Sequence, residues 1–184
     1  RKLLIDGLAK LKQCDHENHN KIAHFLVYLG NVSRGLGDYE KAKELFEQSF
    51  VIYKKNVEDH IGLARASGYL GVVHNGLGNF AEAKVLLERS RVIYEKYPEN
   101  GVGLARSLAH LGSVHKNLGE YETARDLFEK SLTIYKKYSE KHVGAAWVCG
   151  NLGNVYLKLG DYKKAKELLD ESLAICSEHF LEDH

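Results

Sequence analysis

Between Lys21 and Tyr53 the apolar positions fall into two runs of helical spacing. In the first, Ile22, Ala23, Leu26, Leu29, Gly30 and Ser33 draw one stripe, and Leu63, Ala64, Ser67, Leu70, Gly71 and His74 repeat it. The second run is Tyr39, Ala42, Leu45, Phe46, Ser49, Phe50, Ile52 and Tyr53. Strand-type alternation appears nowhere, so the pattern predicts pairs of amphipathic helices. The polar positions of the second run, Lys41, Lys43, Glu44, Glu47 and Gln48, mix both charges at helical spacing, with equivalents such as Lys163, Lys166, Glu167 and Asp170. That is a solvated face held by weak ion pairs, and it is assigned no function.

The break between the runs is chemical. Gly37 sits where a left-handed residue ends a helix, and Asp38 follows as the side-chain cap of the next. Asp161 repeats the cap, Asn79 serves equally, and Glu120 is a poorer one. The whole arrangement recurs: Leu29-Gly30, Leu70-Gly71, Leu111-Gly112 and Leu152-Gly153 are spaced by 41 residues each time, and Gly37, Tyr39, Ala42 and Ser49 each keep the register. Gly30 and its equivalents, small residues in a buried stripe, predict a close helix crossing. The stretches "KNVEDHIGLA", "KYPENGVGLA" and "KYSEKHVGAA", with the single Pro98, read as joints between units.

Leu152-Gly153-x2-Tyr156 followed by Gly160, Tyr162 and Ala165, together with Ala42-x3-Phe46 and Ala124-x3-Phe128, resembles the tetratricopeptide repeat. The resemblance implies an all-α fold, a right-handed superhelical solenoid of antiparallel helix pairs. The 41-residue unit exceeds the usual ~34 by about two helical turns. The terminal proline of the usual unit is missing, and "EDHIGLA" is similar to the joint of the longer kinesin-light-chain type. The register divides residues 1–184 into one array. Residues 1–18 hold the second helix of a truncated repeat, and repeats follow at 19–59, 60–100, 101–141 and 142–184. About nine helices are expected. Apolar Leu3, Leu4, Phe180 and Leu181 at the two ends make end-to-end association between copies either an artefact of exposed ends or a real assembly mode.

Bulk properties narrow the partners. With 184 residues, 44% hydrophobic and 28% charged, the chain has the composition of a folded domain. A net charge of +1 supplies no basic field for nucleic acid, and no apolar run approaches the ~20 residues of a membrane span. Neither partner is expected. Cys14, Cys149 and Cys176 are odd in number and lack CxxC spacing, which favours a reducing, cytoplasmic setting over a disulfide framework. No methionine occurs anywhere, and the chain reads as a piece of something longer.

Function is sought on what the packing leaves over. The opposite face of the first helices reads His24, Arg65, Arg106, Trp147; then Tyr28, Tyr69, His110, Asn151; then Asn31, Val72, Ser113, Asn154; then Arg34, Asn75, Lys116, Leu157. In the resembled family the first helices line a concave, peptide-binding groove. The resemblance therefore implies a protein-interaction scaffold, with Arg65 and Arg106 on adjacent turns and Asn31, Asn75, Asn154 and Lys116 beside them, suited to a carboxylate or acidic segment. Tyr28, Tyr69 and Trp147 offer apolar anchors, and His24 completes the set. The Lys and Asn arrangement of the family's peptide-terminus clamp is not reproduced. A structural spacer or self-associating array acting through its ends is the alternative.

Catalysis is not expected. "HNGLGNFAEAK", His74 to Lys84, has the look of a phosphate-cradling loop, but no strand precedes it and neither G-x-G-x-x-G nor a Lys-Ser/Thr ending is present. No Ser-His-Asp set, HExxH or catalytic carboxylate pair stands out. Cys14, His16 and His19 lie close in "CDHENH", yet His60 and His142 share the joint position of His19, which favours a structural role over a metal site. No cofactor or metal is implied. His74 and His115 occupy the place of Tyr156 and are expected to pack as it does.

Overall fold

The computed structural model describes residues 19–55, 59–138 and 143–182, with side chains through residue 178. The expected helix over 1–18 lies outside these residues, as do Cys14, His16, His142 and the side chains of Phe180 and Leu181. Among the described residues there are eight α-helices and no strand: α1 (His19–Gly35), α2 (Tyr39–Lys55), α3 (His60–Gly76), α4 (Phe80–Glu95), α5 (Gly101–Asn117), α6 (Tyr121–Tyr138), α7 (Val143–Leu159) and α8 (Tyr162–Glu182). Pro98–Asn100 adds a 3-10 turn with the proline at its start.

All four pairs turn in one way. Gly37, Gly78, Gly119 and Gly160 have φ of 79°, 80°, 79° and 84°, the left-handed region that only glycine enters without strain. Each is followed by a bond reaching back five residues, as from Asp38 N–H to the Ser33 carbonyl at 2.9 Å and from Asp161 N–H to the Tyr156 carbonyl at 3.0 Å. These are Schellman caps, and they satisfy the last carbonyls of the first helix. Asp38 and Asp161 then accept from Lys41 and Lys164 N–H, both at 3.1 Å, opening the second helix. At the other two turns the cap position also meets a histidine. The Asn79 amide lies 3.5 Å from His74 Nδ1, and the Glu120 carboxylate pairs with His115 Nδ1. Both histidines are buried where Tyr156 is buried.

The chain divides into two compact units, Arg1–Ile93 and Tyr94–His184. In the first, α1 packs on α2 and α2 on α3. Its core holds Ala23, Val27, Ala42, Phe46, Tyr53 and Val73, and the alanines let the helices approach. A Cβ added at Gly30 would stand 2.6 Å from Phe46 Cε1, and one at Gly71 2.7 Å from Leu87 Cγ. The expected close crossing is therefore present within each of these pairs. In the second unit α5 packs on α6, α6 on α7 and α7 on α8, around Phe128, Leu132, Val148, Leu152, Val155 and Ile175.

Two further ties follow the 41-residue register. Ser49, Ser131 and Ser172 each donate to the carbonyl of the residue 26 positions earlier, Ala23, Ala105 and Ala146, at 3.0, 2.6 and 2.8 Å. At the joints, Gly62, Gly103 and Gly144 lie under the rings of Tyr53, Tyr94 and Tyr135, where an added Cβ would fall 2.3 to 2.6 Å from the ring. The first tie holds the helices of a pair together, and within the two units the second seats α3 on α2 through Tyr53 and α7 on α6 through Tyr135.

Candidate partner-binding face

The candidate residues sit on the first helices, opposite the stripes that pack. In the first unit the structure brings His24 and Arg65 together: Arg65 Nη1 donates to His24 Nε2 at 3.0 Å. Guanidinium has no acceptor, so His24 Nε2 carries the lone pair and the ring proton sits on Nδ1. Burial, then the Arg65 charge, pull the His24 pKa below its usual value, while Asp59 opposes them. Tyr28 meets the His24 ring edge-on at 6.1 Å and is 55% exposed. Tyr69 is half-buried and stacks flat on Phe46, with ring centroids 5.4 Å apart, so packing already uses one of its faces. Asn31 donates to its own helix at Val27 O, 3.1 Å away, and Asn75 is half-buried near the end of α3.

Two residues that sequence reasoning left in the core or the joint belong to this cluster. Tyr53 lies 6.5 Å from the His24 ring and is buried, yet its hydroxyl has no hydrogen-bond partner. Leaving such a donor unmade costs about 1–3 kcal/mol. Burial raises the Tyr53 pKa to about 12, with the Arg65, Asp59 and Tyr28 charges acting on it as well. Asp59 caps α3, accepting from Gly62 N–H at 2.6 Å. The pairing of Tyr53 with Gly62 one joint later was the available signal, since Tyr94–Gly103 and Tyr135–Gly144 repeat it.

In the second unit Lys116 donates to Asn151 Oδ1 at 2.7 Å, and burial lowers its pKa. Asn151 in turn donates to Trp147 O at 2.9 Å, which fixes its amide. Trp147 is 44% exposed, leaning on His110 at 5.3 Å and on Phe128 at 6.3 Å. Arg106 is half-buried near Tyr135, and Asn154 is exposed. Each unit thus holds a cation bonded to a neighbouring polar side chain and a partly exposed aromatic ring. His110 and Asn151 act here as supports of Trp147 and Lys116.

Nothing in these clusters is arranged as a nucleophile with its base. Cys149 is buried, and burial, then Glu171, push its thiol up to about 11. Such a thiol stays protonated at neutral pH. Among the described residues no three His, Cys, Asp or Glu side chains converge on a metal position, and no helix is long and apolar enough to cross a membrane.

Antiparallel helix pairs, closed by a left-handed glycine and seated on one another by a tyrosine over a glycine, define an α-helical repeat protein. The tetratricopeptide repeat family matches residues 21–96 and 103–178, and the chain belongs to that family. Three solved structures show the same fold. BtubC (BKLC) from P. vanneervenii has a TM-score of 0.81 at 18% identity, over 97% of this chain and 72% of that one. A putative kinesin light chain from Podosopora anserina, with nearly identical TPR-like repeats, gives 0.67 at 23% identity over 97% and 86%. Aspartyl phosphate phosphatase F from Bacillus subtilis gives 0.81 at 16% identity, over 97% of this chain and 45% of that one. No curated protein matches the chain.

Proposed function

We propose that this chain is a non-catalytic, cytoplasmic interaction scaffold that takes a peptide segment of a protein partner along the concave groove lined by its first helices. The observation that carries the reading is the exposure of Tyr28 and Trp147 on those helices, each beside cations held by polar neighbours. Exposed aromatics with fixed cations suit an anchor residue flanked by carboxylates, because the ring gives burial at small entropic cost and the guanidinium gives directional pairing. Membership of the tetratricopeptide-repeat family supports the same class of activity. We assign contact to His24, Tyr28, Asn31, Arg65, Tyr69, Asn75, Arg106, Lys116, Trp147 and Asn154, with Arg65 and Arg106 supplying most of the charge. Affinity capture with mass spectrometry, comparing the native chain with the Arg65→Glu, Arg106→Glu pair, tests it. Partners should be lost while circular dichroism stays unchanged; equal capture removes the site.

A second reading rests on α8. Leu173 is 67% exposed, whereas its register equivalent Leu132 is buried, and Tyr162 and Leu169 are exposed on the same helix. Self-association through this face makes the array a spacer or filament element. Light scattering across a concentration series should then show growing oligomers, and a constant monomer mass rejects it.

A further inference from the structure

The Arg65–His24 bond exists only while His24 is neutral. Arg65 donates to Nε2 and remains a cation at any physiological pH, so protonating that nitrogen places two donors and two positive charges face to face. The charged and titratable groups acting on His24 are Arg65 on α3, Asp59 at the cap of α3, Tyr53 on α2 and Tyr28 on its own helix. Asp59 spends one oxygen on Gly62 N–H. With His24 neutral, Arg65 and Asp59 sum to no net charge; with His24 protonated the cluster is positive by one.

The same cluster holds an unsatisfied group. The Tyr53 hydroxyl is buried, without a partner, among Arg65, Asp59 and Tyr28. Protonation of His24 therefore breaks the internal bond and frees the guanidinium fork. It also adds an imidazolium N–H, beside a hydroxyl that already lacks an acceptor. All three groups call for an oxygen ligand with negative charge.

We infer that His24 and Arg65 form a proton-released latch over a carboxylate site, in which uptake of a proton by His24 opens Arg65 to an acidic side chain of a bound peptide. The inference rests on the first-helix face being the binding face and adds the ligand class and its control. A carboxylate fits because the guanidinium fork grips it with two bonds. It also stays ionised down to about pH 4, so the site charges before the ligand discharges. The bound anion favours imidazolium and raises the His24 pKa. By linkage, affinity then rises as pH falls through the interval between the free and bound values.

Fluorescent hexaglutamate, measured by anisotropy between pH 7.5 and 5.5, is the probe, with hexaglutamine as the uncharged control. Each unit by which binding raises the His24 pKa corresponds to up to about a tenfold gain in affinity toward acid pH. His24→Gln keeps an acceptor for Arg65 but does not titrate, so its affinity should gain less than the native chain's. Arg65→Gln should bind weakly throughout. In the native chain, the NMR titration midpoint of His24 should move upward at saturating hexaglutamate. An unmoved midpoint, or a His24→Gln response equal to the native one, overturns the latch. Absence of hexaglutamate binding at every pH, with partner capture still sensitive to the Arg65, Arg106 reversal, overturns the ligand class and leaves the binding face standing. A shifted midpoint with capture indifferent to that reversal does the opposite.

Discussion

His74 stands where Tyr156 stands two units later, and both side chains are buried. Tyr156 donates to Glu129 Oε1 at 2.5 Å, a bond that burial and the carboxylate make hard to ionise, and its pKa rises to about 12. At His74 burial favours the neutral ring. Burial first, and Lys43 second, lower the His74 pKa, so the unfolded chain binds more protons than the folded one below the ordinary value of 6.5. The stability this contributes is complete above about pH 6.5 and declines as pH falls toward the folded value. His74→Tyr should therefore narrow the gap between urea midpoints measured at pH 7.5 and 5.5. An unchanged gap places the acid sensitivity elsewhere. Glu120, a poor helix cap by residue type, is accounted for at this scale too, because its carboxylate pairs with His115.

Between elements the chain relies on contacts that recur rather than on contacts that are large. The serine hydroxyl bonds between second and first helices are buried at Ser49 and Ser131 and partly buried at Ser172, and Ser131 to Ala105 O is the shortest at 2.6 Å. Ser131→Ala should lower stability by about 1 kcal/mol, read as a lower urea midpoint at unchanged slope. A shift in slope would mean that α6 no longer packs as one unit with α5. The helices, their turns and the glycine crossings were legible in the sequence because each depends on a local rule that recurs with the repeat: apolar spacing, a positive φ, or space over a glycine for a neighbouring side chain. The candidate face was less so. Helical spacing places Tyr69, Asn31 and Arg65 on one side, but says nothing of Tyr69 stacking on Phe46, Asn31 bonding to Val27 or Arg65 meeting His24. Those outcomes depend on distances between helices, which a period along one helix does not contain.

At the scale of the molecule, near-zero net charge and a repeated unit leave little for a global field to do. The repeat fold and the family were readable from the 41-residue register. The first and last helical faces were not, since what they meet is set outside their own periodicity. Tyr53, Tyr94 and Tyr135 each close over a glycine nine residues on, Gly62, Gly103 and Gly144, in the same way. A fit repeated at each of these three places is what lets a gene encoding such an array lengthen or shorten by whole 41-residue segments.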